Sequence, residues 1–419
     1  MNHPNERRAH RWMLLALLAF APTHACIQPE CASPDYGNPE CRVLAENELA
    51  RLLTAAGVEV RFQEPGAAVA SSWAATGLVR EPAAGTLALR VAAPGPFAIS
   101  LQPGPMPATL QVTLENVDPA ATITAGPPGA EVEIPGGVLG ATSRSFALTL
   151  DDDRTVWIRG ARPCPPRFRV AVTADIQTNP WQFERIVDRL IVESQAAALA
   201  GEPLVGLVIA GDLAESARDD EYEALAPIFA RVPFPIAVTA GNHDIYRPRS
   251  PQYNRNYGPG NHAFTVCDVH VAMIDTGSGT IAPSVQARLP ELLDRGGATH
   301  LLAAMHHPPY PGITGSGWSR EDVAAQVMVE FAAAGVDLVL AGHNHALRDF
   351  PDIDIGGGSL REIIVGTGGA YQGLGVPRYG YLRIAFDGDT MTPCFVEVEP
   401  RGLDGPAGDP LGTLAYCDP

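Results

Sequence analysis

Hydrophobic and polar residues follow two rhythms along this chain, and the change between them divides it. Between about residues 57 and 160, apolar and polar positions alternate in short runs (Val58–Phe62, Thr86–Val91, Thr109–Leu114, Ser145–Leu150) separated by proline and glycine. A period of two places successive side chains on opposite faces of a strand, so these runs predict a small all-β, sandwich-like domain. The proline-rich stretch 162–166 reads as a linker. Beyond it, Phe168–Ala174 predicts a strand. Trp181–Ala200 predicts a helix in which Phe183, Ile186, Val187, Leu190 and Ile191 share one face. Leu204–Ala210 is almost continuously apolar, as a strand covered on both faces requires. Further strands are expected at 234–240, 263–275, 299–305, 336–341, 361–366 and 380–386, and helices at 219–231, 283–295 and 320–334. This alternation over 167–400 predicts an α/β domain with mixed sheets. Residues 27–56 read as a linker with a short helix over 42–55, and 401–419 as a C-terminal tail.

The first 26 residues carry a third pattern. Arg7, Arg8 and Arg11 precede the apolar run Trp12–Ala21, and Thr23, His24 and Ala25 lead to Cys26. That run is too short to span a bilayer, so it predicts an export signal. Two outcomes stay open. Cys26 becomes the lipid-bearing first residue of a bacterial lipoprotein, with Thr23 where leucine is usual, or cleavage after Ala25 releases the chain. The expected location is accordingly periplasmic, on the outer surface as a lipoprotein, or secreted, with membrane contact only through a lipid on Cys26. Of the seven cysteines, those other than Cys26 are even in number and permit three disulfides; Cys31 and Cys41 bracket a short loop and are the most easily joined.

Composition narrows the partners. Hydrophobic residues at 46% and charged residues at 18% describe a globular chain. A formal charge of −18 repels polyphosphate backbones, so no nucleic-acid partner is expected. A small phosphorylated substrate remains compatible, because metal ions can supply local positive charge.

Ligand-type side chains stand where the apolar strands end: Asp175 and Gln177, Asp212, Asn242-His243-Asp244, His306-His307, and His343 with His345. A lone aspartate at a strand end is usually a turn former, and a lone His-x-His usually packs or faces solvent. The ordered series, each member beside glycine or proline or at a strand end, makes coincidence a poor account. In α/β sheets, functional groups gather beyond the carboxyl ends of strands, where loops converge. Two divalent metals held a few ångströms apart need a bridging carboxylate, further oxygen ligands and several imidazoles.

Asp175-x-Gln177, Gly211-Asp212-Leu213-Ala214-Glu215, Gly241-Asn242-His243-Asp244, His306-His307-Pro308-Pro309 and Gly342-His343-Asn344-His345 resemble the motif series of calcineurin-like metallophosphoesterases. That superfamily includes purple acid phosphatases, cyclic-nucleotide phosphodiesterases and sphingomyelinase-like enzymes. The resemblance covers about 167–390 and implies a four-layer, mixed-sheet sandwich; a β-domain preceding it looks like the layout of purple acid phosphatases. It further implies two divalent or trivalent ions (Fe, Mn or Zn) and hydrolysis of phosphomonoesters or phosphodiesters, with a metal-bound hydroxide as nucleophile. Asp212 would bridge the ions. Asp175, His345 and Gln177 would hold the first, and Asn242, His306 and His343 the second. His243 would protonate the leaving oxygen, and Asp244 would fix its tautomer. His307 is either a donor behind the ligands or a turn residue.

Two departures from the family pattern matter. Gln177 replaces the usual histidine, and an amide oxygen is a harder, weaker donor than imidazole, so the first ion would be held less tightly. Glu215 lies where purple acid phosphatases carry a metal-bound tyrosine, so an iron–tyrosinate centre is not expected, and Tyr222 is wrongly spaced for that role. Ser278 and Ser316 lack the surroundings of a nucleophile elbow. Arg247, Arg249 and Arg255 follow the Asn-His-Asp motif and either hold an anionic group or, the plainer reading, balance acidic neighbours on a solvated loop. A non-catalytic surface-binding protein that keeps the fold is the alternative, favoured only by Gln177. A β-lactamase-like metallohydrolase would need a His-x-His-x-Asp-His cluster, which the sequence lacks.

Overall fold

The computed structural model describes residues 31, 35–63, 76–150, 154–310, 317–356, 358–372, 378–398 and 414–417. The expected export signal, Cys26, Ser316 and most of the C-terminal tail lie outside these residues.

The alternating N-terminal runs form two facing sheets. One orders Arg51–Leu53, Glu59–Gln63, Phe97–Gln102, Val156–Ala161, Thr122–Gly126 and Val132–Glu133, all antiparallel. The other orders Gly77–Ala83, Thr86–Val91, Ala108–Glu115, Ser143–Leu150 and Gly137–Gly140, with one parallel pair. Their inward residues, among them Val60, Phe62, Leu89, Ile99, Leu110, Val112 and Ile158, make one apolar core. This is how period-two patterning closes a sandwich.

The C-terminal part has four layers. Arg167–Thr173, Leu204–Ile209 and Ile236–Val238 run parallel, and Gly380–Asp387 and Thr390–Glu397 extend their sheet antiparallel, with the short Ala415–Tyr416 at its edge. In the second sheet Val269–Ile274, His300–Met305, Leu338–Ala341 and Ser359–Val365 are parallel, flanked by antiparallel His262–Val266 and Leu347–Asp354. Val170, Val172, Val208, Val271, Leu302, Leu340 and Ile363 fill the space between the sheets. Pro180–Leu199 and Asp219–Phe229 cover one outer face through Phe183, Ile186, Leu190, Leu225 and Phe229. Glu321–Ala334 and two short helices cover the other through Val285, Leu289, Val327 and Phe331.

The structure differs from the pattern in instructive places. The run 263–275 is a hairpin that turns at Cys267, whose φ of 54° is left-handed. The helix expected over 283–295 breaks into Pro283–Ala287 and Leu289–Leu292, with Pro290 in the first turn of the second piece. Residues 27–56 are more than a linker. Pro39–Leu49 is a helix with Asn38 capping the Glu40 N–H, and Arg51–Leu53 already belongs to the sandwich. Arg42 in that helix is 1% exposed and forms a two-pronged bond with Asp275, Nε to Oδ2 at 2.6 Å and Nη2 to Oδ1 at 2.9 Å. The N-terminal helix is thereby strapped to the end of the strand Val269–Ile274.

The sandwich is keyed to the first of the two C-terminal sheets by Asn116. Its amide nitrogen donates to the carbonyls of Val91 and Ile236, and its oxygen accepts the Ile236 N–H, each at 2.8 Å. Ile236 belongs to the outermost strand of its sheet, so the carboxamide supplies the pairing that an edge strand otherwise lacks. Disulfides join Cys31–Cys41, Cys164–Cys267 and Cys394–Cys417. No helix among the described residues is long and apolar enough to cross a membrane.

Glu46, 2% exposed, accepts the Gly260 N–H at 2.8 Å, and burial followed by the nearby Asp275 charge pushes its carboxyl up to about 8. A carboxyl raised in the fold stabilises it fully below its unfolded value of about 4.5, and that contribution is lost as pH rises through about 8. Glu46→Gln is expected to flatten the fall in melting temperature between pH 6 and 9, with the variant melting above wild type at pH 9.

Candidate metal centre

The ligand-type residues meet beyond the carboxyl ends of strands from both catalytic sheets. Asp175 follows Arg167–Thr173, Asp212 follows Leu204–Ile209, Asn242 follows Ile236–Val238, His306 follows His300–Met305, and His343 and His345 follow Leu338–Ala341. Bringing them together costs backbone strain. Asp175, Asp212, His343 and His345 have φ of 61°, 56°, 69° and 28°, left-handed values unusual for residues with a Cβ. Such strain persists only where surrounding bonds over-determine it. Here the Asp175 N–H donates to the Gly211 carbonyl at 3.1 Å, and the His343 N–H to the Asp175 carboxylate at 2.9 Å.

Around the Asp212 carboxylate the donor atoms fall into two groups. On one side, ligand atoms of Asp175, Asp212 and His345 lie within 4.8 Å of one another. His345 turns Nε2 inward because its Nδ1 is 2.9 Å from the Tyr371 carbonyl. The Gln177 amide nitrogen is 3.0 Å from both Asp212 Oδ2 and His345 Nε2, while its oxygen is buried without a partner. A half-turn of that amide exchanges the two atoms and points the orphaned oxygen at the cluster, the orientation a cation there demands. On the other side, His306 Nε2 lies 3.2 Å from Asp212 Oδ2 and 3.0 Å from Asn242 Oδ1, and His343 Nδ1 is 3.0 Å from the same amide oxygen. His306 Nδ1 faces the Ala210 carbonyl at 2.9 Å, which fixes the ring. Oxygen and imidazole donors on both flanks of one carboxylate oxygen fit a pair of divalent ions.

The electrostatics agree with that fit. Burial pushes Asp175 up to about 6, with Asp212 adding to the rise against the pull of His306 and His345. Burial also acts to raise Asp212, but His306 and His243 bring it down to about 2. Burial acts to lower His306, and Asp212 and Asp175 lift it to about 9. Two carboxylates buried side by side thus lean on the same His306 imidazole, and metal ions would add the positive charge they favour. Space is equally tight. A Cβ on Gly241 would land on Asp212 Oδ1, and one on Gly211 would sit 2.7 Å from His306 Nδ1.

The role expected for Asp244 is corrected. Its carboxylate accepts the N–H groups of Gly241 (2.9 Å), Leu213 (3.1 Å) and Ala214 (3.1 Å) and the Tyr222 hydroxyl (3.1 Å), so it ties two ligand loops together and does not hold the His243 ring. His243 Nδ1 lies instead 2.8 Å from the carbonyl of Glu215 and 3.6 Å from its carboxylate. That leaves Nε2 towards the Tyr246 hydroxyl at 3.4 Å and the open mouth of the site. Two positioning residues carry no motif signal. Thr276 Oγ1 accepts the N–H groups of His306 (3.1 Å) and His307 (2.9 Å), and Tyr246 accepts from the Asn242 amide at 3.2 Å. His307, 3% exposed, packs its ring 4.2 Å from that of His343. Ser278 accepts from Arg42, and Arg255 donates to Ser250, so neither joins the centre. Gly366 brings backbone against Asp175 and His345.

Residues 168–347 match the family model described as calcineurin-like phosphoesterase. Among curated proteins, a stretch of 132 residues is 26% identical to glycerophosphodiester phosphodiesterase GpdQ of Enterobacter lignolyticus, covering 29% of this chain and 47% of the relative. The chain therefore spans about half the length of that relative. Among solved structures it is similar to the purple acid phosphatase PPD1 of yellow lupin (Lupinus luteus) seeds, at 12% identity, a TM-score of 0.45 and coverage of 72% and 70% of the two chains. It is also similar to GAP50, the anchor in the inner membrane complex of Plasmodium, at 14% identity, a TM-score of 0.40 and coverage of 55% and 84%.

Replacing Asp244 by alanine strands three backbone donors, and urea unfolding is expected to show a loss on the order of 3 kcal/mol. His243→Ala removes no such network and is expected to unfold within about 0.5 kcal/mol of wild type.

Proposed function

We propose that the chain hydrolyses phosphomonoesters or phosphodiesters at a binuclear metal centre. One observation carries this reading: Asp212 Oδ2 stands between a Gln177–His345 group on one side and a His306–Asn242 group on the other. Asp175, Gln177 and His345 would hold the first ion, Asn242, His306 and His343 the second, and Asp212 both. Bound there, the ions would supply an activated water and offset charge on the phosphoryl oxygens. The chain's own contribution is placement and proton transfer. The Glu215 carbonyl fixes the His243 ring so that Nε2 faces the mouth, where it donates a proton to the departing oxygen. Gln177 makes the first site the weaker of the two.

The same proposal places the protein outside the cytoplasm, either released or anchored through a lipid on Cys26. Three disulfides among the described residues favour an oxidising compartment.

Metal analysis and rates on a nitrophenyl monoester and a bis-nitrophenyl diester test the reading; the diester is included because the matched relative bears a diesterase name. Wild type is expected to carry about two ions per chain and to lose turnover on chelation, regaining it when metal is returned. Asp212→Asn should lose metal and rate together. His243→Ala should keep the metal and lose rate by about 10²-fold or more. Equal background rates in all three, with no stoichiometric metal, would leave the non-catalytic binding protein as the better account. Gln177→His is expected to bind the first ion more tightly, and unchanged affinity would remove the argument for a lopsided pair.

A further inference from the structure

A second polar cleft lies away from the strand ends, at the seam between sandwich and catalytic domain. It has a volume of about 340 Å³, and its lining includes Arg80, Arg90 and Ser143 from the sandwich and Tyr222, Asn256 and Tyr257 from the catalytic domain. Arg90, in the strand Thr86–Val91, is 8% exposed. Its guanidinium carbon sits 5.6 Å from the centre of the Tyr257 ring, and it donates no hydrogen bond to any described residue. A guanidinium carries five N–H donors, and those of Arg90, bonded to no described residue, are left to water or a ligand in the cleft.

The charges around the cleft do not supply that acceptor. Glu115 is already taken by Arg80, whose Nη2 lies 2.6 Å from Glu115 Oε2. Two guanidiniums therefore share one carboxylate, leaving an uncompensated positive charge within a chain of net charge −18. Tyr257 covers one face of the Arg90 guanidinium, and Thr142 and Ser143 line the same cleft. A planar donor fork in a cleft of this size, lined also by hydroxyl-bearing residues, is matched by a compact ligand with several acceptor oxygens.

We propose that this cleft binds a small oxyanion, phosphate or carboxylate, with Arg90 as its anchoring cation. The cleft is lined by none of the ligand-type residues of the metal centre, although Tyr222, which donates to Asp244, borders it. Neutral polar contacts from Ser143 and Asn256 complete the lining. Arg80, held by Glu115, adds long-range attraction more than a free donor fork.

Titration calorimetry of the full chain with inorganic phosphate, and in a parallel arm with succinate, measures the binding. An anion event is expected that Arg90→Gln weakens at least tenfold, with turnover of the nitrophenyl substrates unchanged. Phosphate bound at the metal centre persists in that variant and is told apart by persisting. Whichever arm shows the Arg90-dependent event identifies the oxyanion. Crystals of the unsubstituted protein soaked in selenate provide a measurement free of any folding defect, and an anomalous peak is expected within hydrogen-bond reach of the Arg90 guanidinium. The proposal is overturned if neither anion binds, if Arg90→Gln binds both as wild type does, or if no such peak forms.

Discussion

A carboxylate buried at the end of an apolar strand has to be surrounded by donors or cations, because leaving it bare costs several kilocalories. This constraint organises the catalytic half of the molecule. Asp175, Asp212 and Asp244 are all buried at strand ends. Asp244 meets the requirement with backbone N–H groups and the Tyr222 hydroxyl, and so acts as a clamp between loops. Asp175 and Asp212 have fewer donors and sit where the ligand-type atoms of His345, His306 and Asn242 gather. The left-handed backbone at the ligands and the bare glycines beside them follow from the same need, since both let side chains crowd around two carboxylates.

Much of this was legible from residue pattern. Period-two runs marked the sandwich strands, and near-continuous apolar runs marked the buried parallel ones, because burial on one face or two leaves different traces in sequence. The ligands could be read because each stands directly after such a run. Where reading failed, the cause was long-range. In sequence Asp244 adjoins His243, whereas its carboxylate turns back to Leu213 and Ala214, some thirty positions earlier. Glu215 was weighed only as a missing tyrosine, yet its carbonyl holds the ring, and a backbone acceptor leaves no mark on composition. Thr276 ends a strand without resembling a ligand at all. Arg42 lay in what reads as a linker, and nothing local announces a partner at Asp275.

The sandwich contributes through its contacts with the catalytic sheet. Asn116 completes the outermost strand, one position from the run that leads to Asn242, and Gly206 passes so close to Pro94 that no side chain fits between them. The edge strand that leads to Asn242 thereby gains partners on its open side at Ile236. The seam that results is polar and incomplete around Arg90, in contrast to the dry packing between the two catalytic sheets.

The three disulfides have a further consequence. Cys31 joins Cys41, Cys164 joins Cys267, and Cys394 joins Cys417, so every pair consists of cysteines consecutive among the described residues. With Cys26 carrying a lipid, a chain presented to an oxidant from its N-terminus would reach this connectivity by linking each unpaired cysteine to the next one to appear. No bond formed on the way would have to be undone. The slow thiol–disulfide reshuffling that interleaved patterns require is designed out by the order of the cysteines alone.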